Sequence, residues 1–126
     1  MSFTFREADS SDAPSCVEIL ENYIDQTPWI NITLDETQEL VSSWGNLFES
    51  EEAWVALDND RIVGFCERTA SSGNNIGALY VVPELRSVGI GKRLLDMAKA
   101  DCDQIIVWAY EKNVQGRRFY LSLIHI

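Results

Sequence analysis

The residues best suited to chemistry lie in a short glycine-containing segment, residues 86–91, with the sequence RSVGIG. An apolar run typical of a β-strand precedes it and stops at Pro83, and a helical pattern follows it. Glycines at the start of a helix let a ligand approach the backbone, where N–H groups without helical partners and the helix dipole attract an anion. Arg86, Lys92 and Arg93 add positive charge nearby. This segment predicts a site for a diphosphate.

Two common nucleotide-binding motifs do not fit this segment. A Walker A loop needs glycine five positions before the Gly91-Lys92 pair and Ser or Thr after the lysine, but Arg86 and Arg93 occupy those positions. A dinucleotide fingerprint that starts at Gly89 needs a third glycine where Leu94 stands. The ligand is therefore expected to carry a diphosphate without being held by either motif.

The elements around this segment predict an α/β protein with a mixed sheet (α+β) in a single domain, residues 1–126. Apolar periodicity gives the order β-α-α-β-β-β-α-β-α, without a repeat or linker. Strands are expected at residues 3–6, 53–57, 61–67, 76–82 and 104–108, and helices at 13–25, 34–48, 89–100 and 114–121. Thr33 with Glu36 resembles a capping box for the second helix. The fourth strand, the helix after it and the fifth strand form a βαβ unit, so these two strands should be parallel.

Composition narrows the class of protein. The chain has 126 residues, 46% of them hydrophobic, and a formal net charge of −10, which argues against nucleic acid as a partner. Residues 86–126 nevertheless hold seven bases against four acids, so the positive charge gathers around the proposed anion site. There is no long apolar run for a membrane span or signal peptide, and three widely spaced cysteines indicate reduced thiols, not a zinc or other metal site. A cytoplasmic protein is expected.

The pattern Arg-x-x-Gly-x-Gly after a strand resembles the acetyl-CoA motif of the GCN5-related N-acetyltransferase (GNAT) family. Val81-Val82-Pro83-Glu84 is similar to the family's strand end and turn, and Leu94-Leu95 to its helix. Asn113, followed seven residues later by Phe119-Tyr120, resembles its C-terminal signature. Since the element order also agrees along nearly the whole chain, the resemblance implies a GNAT-like acyl-CoA N-acyltransferase fold with acetyl-CoA as co-substrate.

The resemblance also implies roles for single residues. The backbone of Leu79, Tyr80 and Val81 would hold the pantetheine arm like an added strand, and an N–H near Val81 would polarise the thioester carbonyl. Asn113 would contact the pantetheine region, and Tyr120 would lie near the sulfur and protonate the leaving thiolate. The diphosphate would be bound by the backbone of the loop residues Arg86, Ser87, Val88, Gly89, Ile90, Gly91 and Lys92.

The resemblance leaves the general base open. Many members carry a glutamate on the fourth strand, where this chain has no carboxylate, and some carry one on the fifth strand, where Trp108 stands. Glu67 and Glu111 are the nearby candidates, although each is more simply a solvated charge at a strand end, and a chain of waters is a further alternative. Trp29 and Asn31 follow the first helix in a loop that borders the acceptor site in the family, and are expected to contact the substrate.

The chain departs from the family pattern after Tyr120. Relatives continue with Leu-Gly-Phe and further strands, whereas Ile124 and His125 stand at the corresponding positions. We therefore expect a shortened C-terminus, an exposed edge on the fifth strand and possible homodimerisation through it. The predicted function is acetyl-CoA-dependent transfer of an acetyl group to a primary amine of a small molecule or protein. A CoA-binding module without turnover and an interaction domain that uses the same fold as a scaffold are the alternatives.

Overall fold

The computed structural model describes residues 2–27, 36–86, 88–100, 102 and 104–107. Its strands are β1 (Thr4–Glu7), β2 (Glu52–Asp58), β3 (Arg61–Thr69) and β4 (Asn75–Val81). Its α-helices are α1 (Ala13–Asp25), α2 (Thr37–Ser50) and α3 (Ile90–Lys99). Single 3-10 turns lie at residues Ser10–Asp12, Ala70–Ser72 and Pro83–Leu85.

The four strands form an antiparallel sheet in the order β1-β2-β3-β4. The fifth predicted strand approaches β4 at Ile106, which forms a parallel bridge with Asn75. The Ile76 N–H donates to the Ile106 carbonyl at 2.8 Å, and the Ile106 N–H donates to the Asn74 carbonyl at 3.1 Å. The predicted parallel pairing of the fourth and fifth strands is confirmed at the bridge between Asn75 and Ile106. Residue 108 and the predicted last helix lie outside the described residues.

Helices pack on both faces of the sheet. Since the side chains of a strand alternate between the two faces, each strand contributes to both layers of the core. Phe65 of β3 points towards α2, with its ring centroid 5.8 Å from that of Trp44 and 6.5 Å from that of Phe48. The other face of β3 meets α3, where Arg68 is buried, donates to the Ala98 carbonyl and lies over the Trp54 ring. Trp54 is thus buried in the core, and Trp44 is partly buried and packs against it.

The second helix begins later than predicted. Glu36 is extended, with φ −60° and ψ 148°, and is the N-cap residue, so the helix starts at Thr37 and the expected start at residue 34 was wrong. The expected cap, Thr33, lies outside the described residues. The helix continues through Gly45 to Ser50. Gly45 lies against the Ser10–Asp12 turn, and a Cβ added at Gly45 would stand at an ordinary distance of 3.6 Å from the Ser10 Cβ.

Candidate active site

The predicted anion site lies at the start of α3. Gly89 is the N-cap residue with φ +93°, and the first helical hydrogen bond runs from the Arg93 N–H to the Gly89 carbonyl at 3.1 Å. This left-handed backbone favours glycine. Among the described residues, no atom lies within 4 Å of the place where a Cβ of Gly89 would stand, and no side chain caps the helix. Open space and uncapped N–H groups therefore coincide, and the site fits a diphosphate.

The start of α3 is fixed to the sheet by close packing at Gly64. Ile90, the first residue of the helix, is 2% exposed. A Cβ at Gly64 would stand 3.3 Å from Cγ2 of Ile90, 3.3 Å from Cγ2 of Val81 and 3.1 Å from the Tyr80 carbonyl oxygen. Because β3 carries no side chain here, the helix start can sit directly on β3 and β4. The anion site is thereby held beside the end of β4.

The three cations expected around the loop do not act together. Lys92 Nζ pairs with Asp96 one turn along the helix at 2.8 Å, and the Arg93 guanidinium lies 4.6 Å from the centroid of the Phe5 ring on β1. Both side chains therefore have a described partner along or across α3. Arg86 is exposed and lies over the ring of Tyr23.

The backbone of β4 presents the second part of the site. Leu79, Tyr80 and Val81 pair with β3 on one side, opposite Cys66, Phe65 and Gly64 respectively. On the other side, Ile106 pairs with Asn75, which is the first residue of β4. Within the described ranges, no strand pairs with the edge of residues 79–81, as an added extended ligand would require.

A β-bulge interrupts β4 just before this stretch. Glu67 pairs with Ala78 and Arg68 with Ile76, so Gly77 is the extra residue. A Cβ at Gly77 would overlap Oε1 of Glu67. The bulge and the missing side chain therefore make room for a carboxylate on the face of the sheet that packs against α1 and α2.

Glu67 is buried, so the expectation of a solvated charge at a strand end was wrong. It is 1% exposed, because β3 continues to Thr69 and β4 covers it through the bulge. The Thr69 hydroxyl lies 2.6 Å from Oε2 and 2.9 Å from Oε1 and donates to the carboxylate. Burial raises the pKa of Glu67, the Thr69 hydrogen bond opposes this shift, and the nearby charge of Glu51 adds to it. A carboxylate with a raised pKa is suited to accepting a proton near neutral pH.

Several predicted site residues lie outside the described residues: Trp29, Asn31, Ser87, Glu111, Asn113 and Tyr120. The structure places the start of α3 beside Tyr80 and Val81, and it pairs Glu67 with Ala78, the residue before Leu79. The bulge at Gly77 is not predicted from the sequence, although an isolated glycine inside a strand is a signal for one. The contact of Thr69, which lies two residues after Glu67 on the extended strand, is not predicted either.

Two of the three cysteines lie in the hydrophobic core. Cys16 and Cys66 are buried free thiols, and burial is the main reason that the pKa of each is raised to about 12. Such thiols are poor nucleophiles. In the part of the chain that the structure describes, no group of three or more His, Cys, Asp or Glu side chains is arranged to hold a metal ion. No helix there is long and apolar enough to cross a bilayer.

Comparison with known proteins identifies the family. The family model described as "Acetyltransferase (GNAT) domain" matches residues 49–123. The peptidyl-lysine N-acetyltransferase YjaB of Salmonella typhimurium is 34% identical over 89 residues, a match that covers 70% of this chain and 57% of the relative. The chain thus spans little more than half the length of this relative. It belongs to the GNAT acetyltransferase family.

Solved structures show the same fold. The aminoglycoside N-acetyltransferase AAC(6')-Iy in complex with CoA has a TM-score of 0.76 at 10% identity and matches 96% of this chain and 86% of its own. A predicted acetyltransferase from Clostridium acetobutylicum, solved with acetyl-CoA, has a TM-score of 0.69 at 21% identity and matches 94% of this chain and 88% of its own. The predicted GNAT-like α/β fold is confirmed.

Proposed function

We propose that this protein is an acetyl-CoA-dependent N-acetyltransferase that acts on a primary amine. The observation that carries the proposal is Gly89, with its left-handed backbone and open surroundings at the start of α3, the next α-helix after β4. Family membership and the CoA-containing structures of the same fold support it. The proposed co-substrate supplies an acetyl thioester, and this chain's residues supply binding, orientation and proton transfer.

The binding surface has two parts, which suit the diphosphate and the pantetheine arm of CoA. The backbone N–H groups at the start of α3 bind the diphosphate, and the backbone of Leu79 to Val81 holds the pantetheine arm as an added strand. Because Gly64 lets α3 sit directly on β4, the two surfaces have a fixed separation. Fixing both the diphosphate and the pantetheine arm orients the thioester for attack.

Glu67 is proposed as the general base. It accepts the proton of the amine as the amine nitrogen attacks the thioester carbonyl, directly or through one water. The carbon–sulfur bond then breaks, and Tyr120, by the family resemblance, gives its proton to the departing thiolate. Glu67 suits this role because its partner in the register, Ala78, is next to the segment from Leu79 to Val81 that is proposed to hold the pantetheine arm, and because its pKa is raised. Glu111 is the alternative base.

The acceptor is proposed to be a primary amine, and a lysine side chain in a peptide is the first one to test. The support is the relative named a peptidyl-lysine N-acetyltransferase. An aminoglycoside is the second acceptor to test, since a protein of the same fold is named for that substrate. Trp29 and Asn31 are proposed to contact the acceptor. A cytoplasmic location and a homodimer formed through the fifth strand stay predictions.

Calorimetry with acetyl-CoA tests the binding part of the proposal. Gly89→Glu places bulk and negative charge at the diphosphate, and strain at a left-handed position alone costs about 1–3 kcal/mol. We expect it to weaken binding by more than tenfold. Gly73→Glu is the matched control, because Gly73 also has a left-handed backbone, φ +87°, and no described atom within 4 Å of its Cβ position. Equal affinities of the two variants would contradict the assignment of the anion site.

Release of free thiol with a panel of amines tests turnover. The panel contains lysine peptides, aminoglycosides, polyamines and free amino acids. Acetylation of any member, lost in Gly89→Glu and kept in Gly73→Glu, supports the enzyme. Acetyl-CoA binding without thiol release on any amine would instead support a CoA-binding module without turnover. No binding at millimolar ligand would reject both.

A further inference from the structure

Tyr23 connects the first helix with both parts of the proposed CoA site. It lies in the last two turns of α1, and its half-buried ring has its centroid 5.0 Å from that of Tyr80 on β4. The guanidinium carbon of Arg86 lies 5.9 Å from the same Tyr23 centroid. One side chain of α1 therefore contacts the strand proposed to hold pantetheine and the first residue of the loop proposed to hold the diphosphate.

The charges around Arg86 leave its guanidinium available for an anion. Glu84 is two residues away, but it pairs with Arg61 of β3 at 3.0 Å, and the pKa of Glu84 is lowered by hydrogen bonds and by these cations. Among the residues that the structure describes, no carboxylate forms an ion pair with Arg86. Glu84 thus has Arg61 as its ion-pair partner, and Arg86 acts on Glu84 through its charge without a direct ion pair.

An aromatic ring is a suitable support for a guanidinium that must bind phosphate. The contact with the ring face uses the ring quadrupole and leaves the N–H groups free to donate in the guanidinium plane. An exposed arginine loses side-chain freedom when it binds a ligand, and this loss opposes binding. A support that already restricts Arg86 removes part of this cost.

A cleft of about 280 Å³ lies beside this contact. Asn22 and Tyr23 of α1 line it together with Arg86, and the ion pair of Arg61 and Glu84 lies in the same lining. The guanidinium therefore lies at a concave surface that a ligand can enter. The cleft shows that α1 does not bury Arg86 against the sheet.

We propose that Tyr23 is a positioning residue that orients Arg86 towards the diphosphate of CoA. The inference rests on the proposed function, because it assigns the diphosphate to the loop at Gly89. It adds a helix on the face opposite α3 to the CoA site. It also places the support for Arg86 only a few residues before the loop proposed to contact the acceptor.

The test changes the quadrupole of the ring while keeping its shape. Phenylalanine and pentafluorophenylalanine are placed at position 23, and dissociation constants are measured for CoA and for acetyl-pantetheine, which lacks the diphosphate. We expect Tyr23→Phe to stay within twofold of the wild type. The fluorinated ring should weaken CoA binding about two- to fivefold, the size of an exposed cation–π contact, and leave acetyl-pantetheine unchanged. Thermal unfolding checks that each variant is folded.

A double-mutant cycle with Arg86→Gln shows whether the effect passes through Arg86. If Tyr23 acts by orienting Arg86, fluorination should have no effect on CoA binding in the Arg86→Gln protein. An equal loss for CoA and acetyl-pantetheine, additive losses in the cycle, or no loss with the fluorinated ring would each overturn the inference. A wild-type protein that binds no CoA would instead reject the proposed function, so the two failures are distinguishable.

Discussion

The carboxylate of Glu67 occupies the space that a side chain at Gly77 would need. A Cβ at Gly77 would overlap Oε1 of Glu67, and the bulge that creates this position lies on the strand paired with Glu67. The Thr69 hydroxyl holds the carboxylate from its own strand. The buried carboxylate of Glu67 is thus positioned by Gly77 on β4 and by the Thr69 hydroxyl on β3.

Gly77→Ala should displace this carboxylate without unfolding the protein. The added Cβ meets the end of a flexible side chain, so Glu67 turns away and its hydrogen bond to Thr69 is lost, at a cost of about 1–3 kcal/mol. If Glu67 is the general base, kcat should fall by at least about tenfold while the dissociation constant of acetyl-CoA stays within twofold. Steady-state kinetics and calorimetry measure the two effects.

The Glu67→Ala protein provides the control for this change. With the carboxylate removed, the Cβ of residue 77 no longer meets an atom of residue 67. Adding Gly77→Ala to Glu67→Ala should therefore change neither kcat nor the midpoint of urea unfolding. A further loss in the double variant would show that Gly77 is needed for the backbone of the bulge instead.

The raised pKa of Glu67 should appear in the pH dependence of stability. Between its ordinary value of 4.5 and the raised value, the folded state binds more protons than the unfolded state. The free energy of unfolding should therefore fall as pH rises through this window. Glu67→Gln keeps the shape and removes the charge, so its unfolding free energy should lack this decrease. Urea unfolding from pH 4 to 8 measures the slope.

Glu52→Gln is the matched control, because Glu52 is an exposed carboxylate at the start of β2. It should keep the wild-type slope. If Glu67→Gln and Glu52→Gln show the same dependence on pH, Glu67 does not titrate as a buried group.

The sequence predicts the local features of this site and not the features that depend on packing between elements. The loop at Gly89 is predicted correctly because its glycines, the preceding strand and the following helix are neighbours in the chain. The burial of Glu67 is missed because it requires a bulge on a different strand. The direction of Arg93 is missed for the same reason, since its partner Phe5 lies 88 residues earlier. Tyr23 fits a helical apolar stripe, and only the fold shows that it also meets Arg86.

The pair of Arg6 and Asp12 should contribute to stability near neutral pH. Two nitrogen atoms of Arg6 donate to the Asp12 carboxylate at 2.8 and 2.9 Å, and the Asp9 N–H donates to it at 2.9 Å. The Arg6 hydrogen bonds lower the pKa of Asp12 below its ordinary 3.8, so the stabilisation is present above that pH and is lost as pH falls through the lower value. Because the Arg6 side chain is 46% exposed, Asp12→Asn should cost about 1 kcal/mol, the upper range for exposed ion pairs.

Denaturant unfolding at two pH values checks this prediction. The difference between Asp12→Asn and the wild type should be clear at pH 7 and much smaller at pH 2. Arg6→Gln should cause a similar loss, and the two changes together should cost less than their sum. Additive losses would mean that each residue acts through other contacts.

Gly64→Ala should move the start of α3 and weaken the proposed CoA site. The new Cβ would lie 3.1 Å from the Tyr80 carbonyl oxygen and 3.3 Å from Cγ2 of Ile90, and a backbone atom of a paired strand cannot give way easily. Overpacking of this kind costs about 1–3 kcal/mol. We expect acetyl-CoA to bind about tenfold more weakly, since 1.4 kcal/mol at the binding surface corresponds to a factor of ten.

Gly45→Ala gives the matched glycine-to-alanine control. Its Cβ would make only ordinary contacts, 3.6 Å or longer, inside α2, where alanine is favoured over glycine by about 0.5–1 kcal/mol. Its melting temperature should rise while acetyl-CoA affinity stays unchanged, whereas both should fall in Gly64→Ala. If Gly64→Ala binds acetyl-CoA as tightly as the wild type, the position of α3 on β3 and β4 does not control the anion site.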